Sequence, residues 1–262
     1  MNLAQAASGY RKVVEENRKL YNLVQDLKGS IRVYCRVRPA FGTVKKPSCV
    51  DCLDEGTMAV ITTGKGGKDT RKNFTFNRVF GPSATQSLVY VDTQPLIRSG
   101  LDGYNVCIFA YGQTGSGKTF TMTGPDVFSE ETMGVNYRSL NDLFEIQQQR
   151  RGMINYEVCV QMLEIYNEMV RDLLSVDGAS KKYPFLCCHT VTTGSTVRGC
   201  MHLVDLAGSE RADKTEATGT VSSLSCSKML LATLAKDGGD TQDGNTEACD
   251  GGDDEDDVGS SR

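Results

Sequence analysis

The spacing of hydrophobic positions changes after residue 29. Over residues 1–28 a seven-residue repeat runs through Leu3, Tyr10, Asn17 and Val24, and a second through Ala6, Val13, Leu20 and Leu27. Such an a/d seam keeps one stripe of a helix turned toward a partner helix, so the spacing predicts a coiled-coil helix. Asn17 falls at an a position, where a buried amide favours a two-stranded, in-register pair at some cost in stability. The same stripe would also suit a helix packed on its own domain, because Gly9 and the alanines weaken the seam. Gly29 is placed to end the helix.

Beyond Gly29 the pattern becomes that of strands alternating with helices. Residues 31–37 alternate and are rich in β-branched side chains, predicting a strand that stops at Pro39. Residues 74–80 predict a second, shorter strand. Residues 106–110 form a continuous apolar run leading into a glycine-rich loop, as a central strand of a parallel sheet would. Residues 156–166 and 199–206 predict two more strands, and helical patterns cover 87–99 and 137–148. This alternation implies an α/β layered domain.

Composition narrows the class. With 39% hydrophobic residues the chain has enough apolar material for a core, and no apolar run approaches the roughly 18 residues that would cross a bilayer. The first turns mix charges and carry no apolar signal core, so a soluble intracellular protein is expected. The net charge of −4 conceals a split: residues 237–262 hold eight Asp, two Glu and one Arg, leaving the rest mildly basic. The acidic, Gly-rich tail is expected to be disordered, since it has little apolar surface to bury. Ten cysteines without an export signal read as small core hydrophobes, Cys35, Cys107, Cys159 and Cys200 among them. Cys49-x-x-Cys52 and Cys187-Cys188-His189 lack the matched spacing that marks a zinc site.

The strongest chemical signal is Gly112-Gln113-Thr114-Gly115-Ser116-Gly117-Lys118-Thr119, a full G-x-x-x-x-G-K-[ST] match between a predicted strand and a predicted helix. Its glycines let backbone N–H groups converge on phosphate oxygens, Lys118 would reach the β- and γ-phosphates, and the Thr119 hydroxyl would bind Mg²⁺. A second element, Met201-His202-Leu203-Val204-Asp205, is an apolar strand ending in an acid suited to the Mg²⁺ shell, the Asp through water. Gly208 follows, able to bring its N–H beside a γ-phosphate without interference from a Cβ.

With these runs in view the sequence resembles the kinesin motor family. The matching residues are Arg36-Val37-Arg38-Pro39, residues 111–123 (YGQTGSGKTFTMT), residues 205–211 (DLAGSER), Tyr166-Asn167-Glu168 and Arg171-Asp172-Leu173-Leu174. A coiled-coil stretch joined directly to the first motor strand is similar to the kinesin-14 arrangement, which goes with minus-end-directed movement. The resemblance implies a P-loop NTPase-type three-layer core with a central mixed, largely parallel sheet, incomplete here, over residues 29–219. It implies ATP or ADP with Mg²⁺, microtubules as partner, a homodimer through residues 1–28, a place in the cytoplasm on the cytoskeleton, and neither nucleic acid nor membrane as partner. By resemblance Arg36, Arg38 and Pro39 border the adenine, Tyr90 packs nearby, and Glu210 belongs to the element that senses the γ-phosphate.

Two departures stand beside the match. The family motif N-x-x-S-S-R-S-H, whose arginine would pair with Glu210, does not occur in residues 175–202. Residues 220–236 are Ser/Leu-rich and lack the family motifs of the microtubule-binding face, so 220–262 are expected to lie outside the motor fold. Two function classes follow: a microtubule motor that hydrolyses ATP, or a dimerising, nucleotide-binding remnant without efficient hydrolysis.

Overall fold

The computed structural model describes residues 3–40, 48–64, 67–127, 129–151, 154–166, 169–174, 197–210 and 226–237. The acidic tail past Asp237, the Cys187-Cys188-His189 cluster, Asn167-Glu168 and Arg211 lie outside them.

The heptad stretch forms one helix, α1 (Leu3–Leu27). Its described seam residues, Tyr10, Val13, Leu20, Val24 and Leu27, are exposed. A neighbouring face docks on the rest of the chain through polar groups. Tyr21 donates to the Pro95 carbonyl at 3.2 Å, Asn22 donates to Asp102 at 3.2 Å, and Asn22 and Gln25 are buried. Asn17, expected within a seam, instead accepts from Arg98 at 2.9 Å. The Arg98 guanidinium lies 4.1 Å from the centre of the Tyr21 ring and so bridges seam edge and docking face.

Three sheets follow among the described residues. β1 (Tyr34–Arg36) pairs in parallel with β5 (Arg78–Phe80), while β2 (Val50–Cys52), β3 (Thr57–Thr63) and β4 (Asp69–Thr75) form an antiparallel meander. The strand expected over 31–37 is thus confined to its last part. Val33 is held by the Asn77 side chain, outside the ladder. The strand expected over 74–80 is split at residues 76–77, where Phe76 and Asn77 donate to Gly56 and Val33. The helix expected over 87–99 is two helices, α2 (Gln86–Val91) and α3 (Gln94–Leu101). Pro95 lacks the N–H that a continuous helix would need there and instead starts the second one.

The main sheet runs β6 (Val106–Ala110), β9 (Val197–Asp205), β10 (Cys226–Asp237), β7 (Asn155–Tyr166), β8 (Met169–Asp172). β6 and β9 are parallel, and the other three neighbouring pairs are antiparallel. The sheet is mixed as expected, but it is mostly antiparallel. β6, expected at the centre, is an edge strand among those described, as is β8 at the other end. The largest departure is β10, drawn from the stretch expected to follow the fold. It lies antiparallel between β7 and β9, with Leu230 opposite Met162 on one side and Leu203 on the other. Its apolar run Met229-Leu230-Leu231-Ala232 suits a strand flanked on both edges, and Leu230 and Ala232, two apart, enter the core.

The core packs the sheet against α3, α4 (Lys118–Met122) and α5 (Val135–Gln149), through Ile97, Leu101, Met122, Leu143, Met201, Leu203 and Leu230 among others. Alternation along β6 buries Val106 and leaves Cys107 and Phe109 exposed on the other face. Cys159 is exposed as well, and Cys35 and Cys200 are half-buried, so these thiols are less enclosed than their apolar neighbours suggest. Among the described residues no helix is long and apolar enough to cross a membrane.

Candidate functional site

The glycine-rich loop leaves the C-terminal end of β6 and enters α4 at Lys118. Gly117 occupies the N-cap with φ 99°, a left-handed conformation that a side chain would strain, so the sequence needs glycine where loop becomes helix. Lys118 Nζ folds over the loop and donates to the carbonyls of Gly112 and Gln113 at 2.9 and 3.0 Å. Next to it, Thr119 donates to Asp205 Oδ2 at 2.5 Å, bringing together the two residues expected at Mg²⁺ from opposite ends of the site. Leu206 N donates to the Ala110 carbonyl, and Ser209 N to that of Gly112, which fixes the segment after β9 against the loop.

A cleft of about 920 Å³ opens beside the loop. Gly115, Ser116, Gly117, Lys118 and Thr119 line it together with Arg36, Arg38 and Pro39. Arg36 is committed to the wall. It donates to Gln86 at 2.7 Å, to Thr121 at 2.9 Å and to the Ala84 carbonyl at 3.1 Å, and its guanidinium faces the Phe120 ring. Burial lowers its pKa from the ordinary arginine value. Tyr90 does not line the cleft. Gln86, Val89 and Thr93 do, whereas Tyr90 is buried in the core and its hydroxyl donates to Asp142 at 2.8 Å. Burial, and next the Asp142 hydrogen bond, push that phenol far above its usual range.

At the other end of the loop, Gly112, Gln113 and Thr114 lie outside the cleft lining and meet the segment after β9. Thr114 N donates to Glu210 Oε2 at 2.9 Å and its hydroxyl donates to Oε1. The Thr114 hydroxyl, ahead of the backbone N–H groups, holds the Glu210 carboxyl below the ordinary carboxylate range. A Cβ on Gly208 would meet the Thr114 hydroxyl and the Glu210 carboxylate, so glycine lets these two side chains close over the backbone.

The residues present fit a magnesium-bound nucleotide. Asp205 Oδ1 and Ser116 Oγ are buried without a hydrogen-bond partner among the described residues, an arrangement that a hydrated cation and phosphate oxygens would satisfy. Gln86 was not singled out by the sequence. Its amide accepts from Arg36 and donates to the Phe120 and Thr132 carbonyls, tying three segments of the cleft wall together. A glutamine in the first turn of a short helix gives no sign of that role.

Comparison with known proteins bears on the family of the chain. The family model described as "Microtubule binding" matches residues 10–174. The chain is 52% identical over 274 residues to "Kinesin-like protein KIN-14F" of Oryza sativa subsp. japonica, covering 83% of this chain and 27% of that protein. It is 51% identical over 268 residues to "Kinesin-like protein KIN-14H" of Arabidopsis thaliana, with 83% and 26% covered. The chain therefore spans about a quarter of the length of these relatives. Among solved structures it is similar to the C-terminal motor and motor homology domain of Kar3Vik1 fused to a synthetic heterodimeric coiled coil. That match has a TM-score of 0.58 and 32% identity, and covers 66% of this chain and 46% of that one. A structure of a fast kinesin matches with a TM-score of 0.51 and 33% identity, over 57% of this chain and 42% of that one.

Proposed function

The chain belongs to the kinesin family, in its kinesin-14 group, and from that premise we propose that it binds Mg-ATP or Mg-ADP at residues 112–119 and acts on microtubules. The single observation that carries the nucleotide reading is the pairing of Thr119 with Asp205 beneath a loop whose helix begins at a left-handed glycine. In this reading the loop N–H groups and Lys118 bind the phosphates, and Arg38 and Pro39 border the base with Arg36 shaping the wall behind them. Thr119 and Asp205 hold the Mg²⁺ shell, the Asp through water. Bound Mg²⁺ supplies neutralisation of the charge that develops on the phosphate oxygens. Gly208 brings backbone close to the terminal phosphate, and Glu210 belongs to the segment that responds to it.

The exposed seam of α1 supports a homodimer formed through residues 1–28. Docking uses Arg18, Tyr21, Asn22 and Gln25 on a neighbouring face and reaches the seam at Asn17, which accepts from Arg98, so a partner helix would share only that edge with the motor core. Association with the microtubule cytoskeleton follows from the same family membership.

A second reading, a dimerising nucleotide-binding chain with little turnover, is favoured by one observation. The run N-x-x-S-S-R-S-H, whose serines and arginine would complete the γ-phosphate site, does not occur in residues 175–202. Titration with fluorescent nucleotide, alongside Lys118→Ala, tests the nucleotide reading: wild type binds and the variant does not. Equal binding by the two overturns it. Co-sedimentation with polymerised microtubules tests the partner.

A further inference from the structure

We infer that Glu210 is an internal stopper at the terminal-phosphate end of the P-loop, admitting a nucleoside diphosphate and opposing a triphosphate. The inference rests on the nucleotide-binding reading above and deepens it.

The geometry is a two-point clamp. Both carboxylate oxygens of Glu210 are engaged by one residue of the loop, through Thr114 N at 2.9 Å and the Thr114 hydroxyl. A backbone N–H of this loop is the kind of donor that a phosphate oxygen takes, and here a carboxylate already has it. Lys118 is turned inward at the same time, onto the carbonyls of Gly112 and Gln113. The loop's cation and one of its outermost donors are thus both satisfied from within the chain.

Position along the cleft decides which phosphate is affected. Arg38, Pro39 and Gly115–Thr119 line the cleft, whereas Thr114 lies outside its lining, beside Gly208, whose nearest atoms are the Thr114 hydroxyl and the Glu210 carboxylate. In the reading above the inner phosphates take the donors of residues 115–119, and Gly208 faces the terminal one. Only the outermost one arrives at Thr114, Gly208 and Glu210. A diphosphate ends before the clamp, whereas a third phosphate brings an anion to a donor already held by an anion, in a space where Gly208 has no room to spare. Glu210 is solvent-exposed, so it can be displaced, and the effect is selectivity between nucleotides rather than closure of the site.

The test is calorimetric titration of the full chain with Mg-ADP and with a non-hydrolysable Mg-ATP analogue, for wild type, Glu210→Ala and Glu210→Gln. Circular dichroism confirms that all three are folded. Wild type is expected to favour the diphosphate by about tenfold. Glu210→Ala should tighten the triphosphate analogue by about tenfold while moving the diphosphate by less than about twofold. Glu210→Gln, which keeps an acceptor and loses the charge, should fall between. An unchanged ratio between the two nucleotides in both variants overturns the stopper while leaving nucleotide binding intact. Equal tightening of both ligands overturns it too, since the carboxylate would then repel anions without selecting among them. Absence of any binding by folded wild type overturns the nucleotide reading itself, and the stopper with it.

Discussion

Arg150 Nη1 lies 2.8 Å from Asp102 Oδ1, and the aspartate side chain has no exposure to solvent. The same guanidinium nitrogen donates to the Tyr156 hydroxyl at 2.7 Å, while Asp102 Oδ2 accepts from Asn22 on α1. One buried carboxylate therefore joins the end of α5, the end of α3, the start of β7 and the N-terminal helix. Burial works against the Arg150 charge, but Tyr156 and Asp102 outweigh it and hold its pKa above the ordinary arginine value.

Removing one member of this pair leaves a buried charge without its partner. Arg150→Ala is expected to destabilise the fold by about 3–5 kcal/mol, because the cost of the stranded carboxylate is added to the lost contact. Urea unfolding measures it. Replacing Arg150 and Asp102 together by Leu should cost less than the sum of the single changes, since that variant strands no charge. Strict additivity would mean that the two side chains are not coupled.

The neck helix offers a separation of functions. Leu20 is exposed in the seam, whereas Asn22 is buried against Asp102. Leu20→Glu should weaken the dimer by at least about tenfold in sedimentation equilibrium, with little change in the unfolding midpoint of the motor core. Asn22→Ala should do the reverse, lowering stability by about 1–2 kcal/mol while leaving self-association in place. Loss of the dimer in Asn22→Ala alone would place the association surface on the docking face.

β10 should matter to the whole sheet, because β7 and β9 do not pair with each other and meet only through it. Leu230 is buried in the shared core between them. Leu230→Ala is expected to cost about 2–5 kcal/mol, as for other buried leucines that leave a cavity. Thermal unfolding followed by far-UV circular dichroism should show it. A change below about 0.5 kcal/mol, typical of surface positions, would mean that residues 226–237 do not complete the sheet.

How much of this was legible in the sequence depended on range. Elements with a strong local period, α1, β6, α5, β7 and β9, fall within a few residues of where the pattern put them. Thr119 and Asp205 are expected at one cation because both belong to motifs whose chemistry calls for it, and the structure sets them in direct contact. Pairing was not legible. The apolar run at Met229-Leu230-Leu231 carries no mark of which strands it will lie between, since register is a contact between distant residues. The docking face of α1 was missed for another reason. Arg18, Asn22 and Gln25 look like a solvated surface until Asp102 and Arg32 are placed against them. Tyr90 was assigned to the cleft by resemblance, and the cleft is instead faced by Gln86 and Val89 of the same helix.

The last expectation concerns turnover. Hydrolysis at a P-loop needs groups preorganised around the γ-phosphate and an oriented attacking water. In the proposed reading Lys118, Thr119 and Asp205 serve the binding half of that task. For the other half, Glu210 is engaged with Thr114, and residues 175–202 contain no N-x-x-S-S-R-S-H to complete the shell. Each missing electrostatic contributor typically costs about 10²–10³ in rate. Steady-state phosphate release is therefore expected to stay near background, with less than about twofold stimulation by polymerised microtubules, against a complete kinesin-14 motor as control. Glu210→Ala should not rescue it, because freeing Thr114 restores binding room without supplying a group that orients water. Strong microtubule stimulation of the wild-type chain would show that other residues complete the γ-phosphate site, and would return the chain to the ATP-hydrolysing motor reading.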